Sequence, residues 1–103
     1  MPRAKRVVWS PAAERDLFEI WADYARVAAA EIADDLLREI DRSAAAIGES
    51  PLLSRDRGDL TAGLRSVVVR PHVIFFRITA GTVEIVRVLH GRRDFPAILS
   101  PEE

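Results

Sequence analysis

The sequence of 103 residues has no cysteine, a single lysine, a single tyrosine and two histidines. Without cysteine the chain can form neither a disulfide framework nor a thiolate metal cluster, and this composition suits a reducing cytosol. Two histidines, His72 and His90, are too few to predict a zinc site. No apolar run forms a signal peptide or approaches the roughly 18 residues of a membrane span. We therefore expect a soluble, cytoplasmic protein without metal or cofactor.

A formal net charge of −1 conceals an uneven distribution of charge along the chain. Residues 1–10 carry +3, residues 11–50 carry −6, and residues 51–103 carry +2. Fourteen of the fifteen basic residues are arginine, and residues 65–93 contain six of them beside one acid, Glu84. Arginine binds carboxylates and phosphates through paired hydrogen bonds and stays charged. A GC-rich genome would enrich arginine, but it would not concentrate arginine in the second half.

Two segments have apolar residues at helical spacing. Ser10-Pro11 predicts the start of the first helix, because Ser caps free amides and Pro fits the first helical position. The second helix is expected to end at Gly48, and the break between the two helices is placed near residues 27–30. The two helices predict an antiparallel hairpin with its acidic residues outside. The apolar stripes are Leu17, Ile20, Trp21, Tyr24 and Ala28, and then Ile32, Leu36, Ile40, Ala44 and Ile47.

The remaining segments predict strands. Residues 5–9 indicate a short first strand, and residues 48–63 indicate a connecting loop. The apolar period changes to two over residues 64–70, 73–79 and 82–90, which are separated by turn signals. The sequence therefore predicts an α+β domain in the order β-α-α-β-β-β, with a helical hairpin packed on a small antiparallel sheet. One domain is expected over residues 1–103, with a tail at residues 95–103.

Alternation along the strands assigns side chains to the two faces of the sheet. The hairpin is expected to cover the face that carries Ile74, Phe76, Ile78, Val86 and Val88. Arg77 and Arg87, with Arg65, are expected on the less covered face, where they would form a cationic patch for an acidic partner or phosphate. The alternative is that each arginine is solvated or paired with an acid such as Glu84 or Asp94.

Three further side-chain expectations concern single positions. The apolar tail segment at residues 95–99 is expected to pack back onto the domain, although it could meet a partner. His72 follows a turn proline and is expected to be exposed. Trp21 and Tyr24 are expected in the core, with a groove for a partner segment as the alternative.

Four motifs in register resemble the RelE/ParE superfamily of toxins, and its ParE-type members in particular. They are residues 9–17 (WSPAAERDL), 63–65 (GLR), 73–78 (VIFFRI) and 86–94 (VRVLHGRRD). The resemblance spans about residues 5–95 and implies the same β-α-α-β-β-β order. It also implies a toxin encoded beside a ParD-like antitoxin with a ribbon-helix-helix or related DNA-binding part, whose tail wraps the toxin. DNA would be contacted only through that antitoxin.

The superfamily has two functional branches. RelE-like members are ribosome-dependent mRNA endonucleases, and such cleavage needs a base, an acid and cations around the phosphorane. Here Lys5 is the only lysine, Tyr24 lies on the first helix, and Gly91 follows His90 where some members have a tyrosine. The expectation is therefore a ParE-like, non-enzymatic toxin that inhibits DNA gyrase, with no catalytic residues. The alternatives are the RelE-like endonuclease and a non-toxic partner or co-repressor of the antitoxin.

The candidate residues follow from the patch and from the end of the last strand. Trp21 and Tyr24 are candidates for the antitoxin groove. The candidates for contact with the target are Arg65, Arg77, Arg87, His90, Arg92, Arg93 and Phe95.

Overall fold

The computed structural model describes residues 4–100 and contains the six predicted helices and strands in the predicted order. The short two-residue strand β2, a 3-10 turn before it and the helix α3 were not predicted. The hairpin-on-sheet architecture and the α+β class are confirmed. The elements are β1 (Arg6–Trp9), α1 (Pro11–Val27), α2 (Ala30–Glu49), a 3-10 turn (Pro51–Leu53), β2 (Arg55–Asp56), β3 (Leu64–Val69), β4 (His72–Thr79), β5 (Thr82–His90) and α3 (Phe95–Leu99).

The start of α1 is built as the sequence predicts. The Ser10 hydroxyl accepts a hydrogen bond from the Ala13 amide at 3.0 Å, which satisfies one of the free donors of the first turn. The same hydroxyl donates to the carbonyl of Val86 at 2.8 Å and so joins the helix start to β5. The break between the helices falls at Ala28 and Ala29, inside the predicted interval.

Gly48 has a different role from the one predicted. It lies within the last turn of α2, which continues to Glu49, so it does not terminate the helix. A Cβ atom at Gly48 would lie 2.7 Å from Cγ2 of Val7 and 2.9 Å from the carbonyl oxygen of Lys5. Glycine therefore allows the close approach of α2 to β1, where the Lys5 amide donates to the Gly48 carbonyl at 2.8 Å.

The sheet has the strand order β1-β5-β4-β3-β2 and is mixed. The strands β3, β4 and β5 form the predicted antiparallel meander, and β2 pairs antiparallel with β3, whereas β1 runs parallel to β5. The prediction of an antiparallel sheet is therefore wrong for β1. The last strand of the meander, β5, lies beside β1 and runs in the same direction. The residues between β1 and β5 supply the long crossover that a parallel pair needs.

Two apolar clusters lie on the two faces of this sheet. The cluster on the hairpin side includes Ile74, Phe76 and Val88, with Ile78 packed against it, as alternation predicts. The opposite cluster is formed by Leu60, Leu64, Val73, Phe75 and Leu89. The tail segment is the helix α3, and its residues Phe95, Ile98 and Leu99 pack against this second cluster, so the expectation that the tail packs back is confirmed.

Val86 does not lie on the predicted face. Phe75 pairs with Arg87 and Phe76 pairs with Ile85, which leaves Val86 as an extra residue in β5. Such a bulge interrupts the two-residue alternation. Val86 therefore packs against the second cluster, and the face assignment of β5 changes at this point.

None of the helices within residues 4–100 is long and apolar enough to cross a membrane.

Candidate functional site

Arg65 lies on the hairpin side of the sheet, not on the open face. It is opposite Phe76 in the β3–β4 register, and alternation groups it with Val67 and Val69, which contact the hairpin-side cluster. Its guanidinium donates from Nε to Oγ of Ser54 at 2.7 Å and from Nη2 to the Ser54 carbonyl at 2.8 Å. Arg65 therefore anchors the segment before β2, and its assignment to the cationic patch is wrong.

Arg87 is bound within the molecule by Asp16 of α1. Its Nε and Nη2 atoms donate to the two carboxylate oxygens of Asp16, each at 2.8 Å. The amide of Val88 donates to the same carboxylate at 2.9 Å. The hydrogen bond to Asp16 raises the pKa of Arg87, with attraction to Asp16 and Glu19 adding to it and burial opposing it. The expected free cation is therefore one half of a structural ion pair.

The position of Asp16 follows from the end of β1. The pairing of β1 with β5 stops at Trp9 and Ile85, so the edge of β5 has no strand partner beyond that point. The start of α1 lies along this edge and supplies the missing partners. The Ser10 hydroxyl donates to the Val86 carbonyl, and the Asp16 carboxylate accepts from the Val88 amide. Asp16 is buried, with its side chain 8% exposed.

Arg77 keeps the expected face. In the strand registers it lies opposite Leu64 and Glu84, on the side of the second cluster, and it is half-exposed. It makes no salt bridge with another residue between 4 and 100. The predicted patch of three free arginines is therefore wrong and reduces to Arg77, because strand spacing gives the face of a side chain and not its partner.

His72, His90 and Tyr24 meet at one cleft. The His72 ring lies 6.1 Å from the Tyr24 ring and 5.5 Å from the His90 ring, measured between ring centroids. The expectation that His72 is exposed is wrong, since it is 3% exposed. Burial lowers the pKa of His72, and repulsion from His90 adds to this effect. Its Nδ1 atom has no hydrogen-bond partner among the residues that the structure describes.

The cleft has a volume of about 170 Å³ and is lined by side chains of both charges. The acids come from one side of α1, and the histidines come from β4 and β5. Tyr24 thus lines a cleft and not the centre of the core. The lining residues are Asp16, Glu19, Ile20, Asp23, Tyr24, His72, Val88, Leu89, His90 and Arg93.

A turn after β5 carries the exposed cations. The Arg92 amide donates to Nδ1 of His90 at 3.1 Å, so the hydrogen of a neutral His90 ring lies on Nε2. The Arg93 amide donates to the His90 carbonyl at 3.0 Å. Arg92 and Arg93 are both exposed, and Asp94 then caps α3 by accepting from the Ala97 amide at 3.1 Å. The segment Gly91–Arg93 is therefore an ordered, cationic turn.

Phe95 is part of the second cluster. Its ring meets the Phe75 ring edge to face, with 4.9 Å between centroids. The Arg57 guanidinium lies 5.8 Å from the Phe95 centroid and 5.7 Å from the Phe75 centroid. Phe95 is half-buried and holds α3 against the sheet, so a role in target contact remains a prediction.

Trp21 connects the two helices of the hairpin. Its indole Nε1 donates to Oδ1 of Asp34 on α2 at 2.8 Å, and the residue is half-buried. Trp21 therefore contacts α2, whereas Tyr24 lies against His72 in the cleft, although both belong to α1. Their role in an antitoxin groove stays a prediction.

The residues that sequence reasoning missed are Asp16, Arg57 and His72. Asp16 could have been found, because it lies three residues after Ala13 and four before Ile20, on the stripe of α1 that faces the sheet. A carboxylate on such a stripe indicates a buried cationic partner. No comparable signal exists for Arg57. Within residues 4–100 no three His, Asp or Glu side chains are arranged to hold a metal ion.

Comparisons with known proteins agree on one family. A family model described as the ParE toxin of the type II toxin–antitoxin system parDE matches residues 7–95. Toxin ParE1 of Mycobacterium tuberculosis (strain CDC 1551 / Oshkosh) is 34% identical over 93 residues, which are 88% of this chain and 94% of that protein. Toxin ParE3 of Caulobacter vibrioides is 31% identical over 94 residues, which are 91% and 94%.

The fold also matches a solved structure. The chain resembles a protein in the chromosomal ParDE toxin–antitoxin system from P. aeruginosa with a TM-score of 0.75 and 19% identity, over 84% of this chain and 96% of that one.

Proposed function

Since the chain belongs to the ParE toxin family of type II toxin–antitoxin systems, we propose that it inhibits DNA gyrase and is neutralised by a ParD-like antitoxin. The single observation that carries the proposal is the family match over residues 7–95, which includes both the cleft and the cationic turn. The proposed action is binding to gyrase without catalysis by the toxin itself.

The turn Gly91–Arg93 supports a binding role. Arg92 and Arg93 are exposed, and their backbone is held by the hydrogen bonds to His90. An ordered loop loses less conformational entropy on binding than a mobile one, so it can present two cations to a partner at low cost. Arg65 and Arg87 take no part in this surface, because each is bound to its own domain.

The cleft is the observation that favours the endonuclease alternative. It brings His72 next to both His90 and Tyr24, so it has more groups for proton transfer than the sequence suggested. The charges around it disfavour RNA, however. Glu19 and Asp23 would repel phosphate, and Asp16 neutralises Arg87. Among the lining residues, Arg93 is the arginine, and it forms no salt bridge with residues 4–100. Binding therefore ranks above RNA cleavage.

A protein antitoxin is the expected partner of a type II toxin. We propose that it is ParD-like, with a ribbon-helix-helix or related part that binds DNA, so that this chain reaches DNA only through the complex. Trp21 and Tyr24 remain the proposed residues of α1 for its groove. The acidic hairpin and the exposed cationic turn Gly91–Arg93 offer such a partner two surfaces of opposite charge.

The proposal is tested with purified gyrase. The free chain is expected to block supercoiling and to increase the amount of cleaved DNA held by gyrase. The double variant Arg92→Ala/Arg93→Ala is expected to lose most of this inhibition while still binding the antitoxin. A matched control is Arg26→Ala/Arg38→Ala, which removes two exposed arginines from the hairpin and is expected to inhibit gyrase like the natural chain.

Expression in cells separates the alternatives. Growth arrest with filamentation and a DNA-damage response is expected for a gyrase inhibitor. Early arrest of translation with mRNA cut inside ribosomes would support the endonuclease. No toxicity at all, with normal antitoxin binding, would support a co-repressor.

A further inference from the structure

The sheet has an open edge along the second half of β3. The strand β2 pairs only with Arg65 and Ser66, so the structure places no strand beside residues 67–69. The Arg57 amide donates to the Leu64 carbonyl at 2.8 Å, which shows that the main chain of Leu64 faces the β2 side. Main-chain direction alternates along an antiparallel strand, so the N–H and C=O groups of Ser66 and Val68 face the same side. Val68 therefore directs its donor and acceptor at the open edge.

Apolar side chains lie beside these main-chain groups. Val68 is 62% exposed and Leu53 is 88% exposed. With Val73 and Phe95 they line a groove of about 400 Å³ on the sheet face away from the hairpin. An exposed apolar strand edge favours pairing with another chain, and soluble proteins usually protect it. Here β2 is too short to do so.

The charges at this edge indicate what would bind there. Arg55 lines the groove, is exposed and makes no salt bridge with residues 4–100. Arg70 follows β3 and is also exposed. Arg57 lines the groove too, but it is bound to Asp59 at 3.1 Å. A second copy of this chain would bring arginines against arginines, and like charges on paired strands are destabilising. An acidic segment would instead be attracted.

We propose that the open edge of β3 binds an extended segment of the antitoxin that has alternating apolar side chains and at least one carboxylate. The segment adds a strand to the sheet through the main chain of Val68. Its apolar side chains enter the groove formed by Leu53, Val68, Val73 and Phe95, and its carboxylate pairs with Arg55. The inference rests on the proposed antitoxin partner and is independent of gyrase as the target.

The first test measures affinity for the full-length antitoxin encoded beside this chain. Val68→Asp places a carboxylate at the edge and is expected to raise the Kd at least tenfold. The matched control is Ala80→Asp, because Ala80 is exposed in the turn between β4 and β5 and lies outside this groove and away from Trp21 and Tyr24 in the chain. Its Kd is expected to change less than twofold. Arg55→Glu and Arg42→Glu form a second matched pair, with a comparable loss expected only for Arg55→Glu.

The second test uses the unmodified chain, so it does not depend on the folding of a variant. Amide hydrogen exchange at Val68 is expected to slow at least tenfold in the complex with the antitoxin. The proposal would be overturned if exchange at Val68 is unchanged in the complex and Val68→Asp binds the antitoxin as tightly as the natural chain does. Exchange at Val68 that slows without antitoxin as the concentration of the chain rises would show that a second copy binds this edge. That result would also overturn the proposal.

The gyrase assay is read separately. Val68→Asp without antitoxin is expected to inhibit gyrase like the natural chain. Protection of Val68 in the complex, with no inhibition of gyrase by the natural chain, would refute the proposed target and support the assignment of this edge.

Discussion

At the scale of single residues, Asp16 connects α1 to β5 through three hydrogen bonds. It accepts two hydrogen bonds from Arg87 and one from the Val88 amide. Hydrogen bonds to a charged group contribute roughly 1.5–3 kcal/mol, and removing one member of a buried pair leaves the other unsatisfied. Asp16→Asn is expected to lower the free energy of unfolding by about 2–3 kcal/mol, measured by urea denaturation.

The exposed pair Asp23–Arg26 provides the control. Their side chains are 71% and 73% exposed and 3.6 Å apart. Exposed pairs contribute between about 0 and 1 kcal/mol, so Asp23→Asn is expected to change the free energy of unfolding by less than about 0.5 kcal/mol. Equal losses in the two variants would contradict a structural role for the Asp16–Arg87 pair.

His72 gives the stability of the protein a pH dependence. Burial lowers its pKa in the folded chain below the ordinary value of 6.5. The unfolded chain therefore binds a proton more readily, and the free energy of unfolding falls as the pH drops through about 6.5. His72→Phe keeps an aromatic ring next to Tyr24 and His90 and removes this titration. Its stability is expected to fall less than that of the natural chain between pH 7.5 and 5.5.

The measurement is urea denaturation at a series of pH values. The difference between the natural chain and His72→Phe isolates the contribution of His72, because the carboxylates are common to both. Parallel pH curves for the two proteins would show that His72 does not cause the effect.

Single-residue contacts are the part of the site that the sequence predicted least well. Arg65, Arg77 and Arg87 have similar positions in similar strands, yet Ser54 binds the first and Asp16 binds the last. The partners are distant in the sequence, and their approach depends on how the loop and α1 pack on the sheet. Alternation carries no information on that packing.

At the scale of elements, the contact between α2 and β1 depends on Gly48. Adding a methyl group there would bring it to 2.9 Å from the Lys5 carbonyl, which belongs to the backbone and cannot turn away. Overpacking of this kind costs about 1–3 kcal/mol, against a gain of about 1 kcal/mol from the helix propensity of alanine. Gly48→Ala is therefore expected to lower the free energy of unfolding by up to about 2 kcal/mol in urea denaturation.

Gly58 is the matched glycine. The atom nearest to a Cβ there is Oδ1 of Asp56 at 3.1 Å, the end of a flexible side chain. Gly58→Ala is expected to change the stability by no more than about 0.5 kcal/mol. A stabilised Gly48→Ala would mean that helix propensity outweighs the close approach.

Elements were predicted well because each rests on local signals. The Ser10-Pro11 helix start and the two-residue alternation of β4 are both confirmed. Local signals do not report the parallel pairing of β1 with β5, which joins the two ends of the chain, or the bulge at Val86. A bulge is one extra residue in the pairing, so it appears only when the partner strand is known.

At the scale of the whole molecule, the two apolar clusters share one sheet. Ile74 and Phe76 point to the hairpin, while Val73 and Phe75 point to α3, and all four are neighbours in β4. Neither cluster can lose its packing without exposing one face of the same strand. The protein is therefore expected to unfold in a single two-state transition.

Two probes check this expectation. Tryptophan fluorescence reports the hairpin side, where Trp9 packs against the cluster and Trp21 bonds to Asp34. Methyl signals of Leu60 and Leu89 in NMR spectra report the opposite cluster. The two urea midpoints are expected to coincide. An earlier loss of the methyl signals would show that the α3 side unfolds independently.

The parallel pairing of β1 with β5 also sets when the fold can be completed during synthesis. The hydrogen bond from Ser10 to Val86 spans 76 residues of chain. At about 5–20 residues per second, the ribosome needs on the order of 4–15 s to extend the chain over that distance. During this interval the partner strand of β1 does not yet exist. The first strand therefore lacks its partner until β5 has been synthesised, and the surfaces that depend on β5 form only after that.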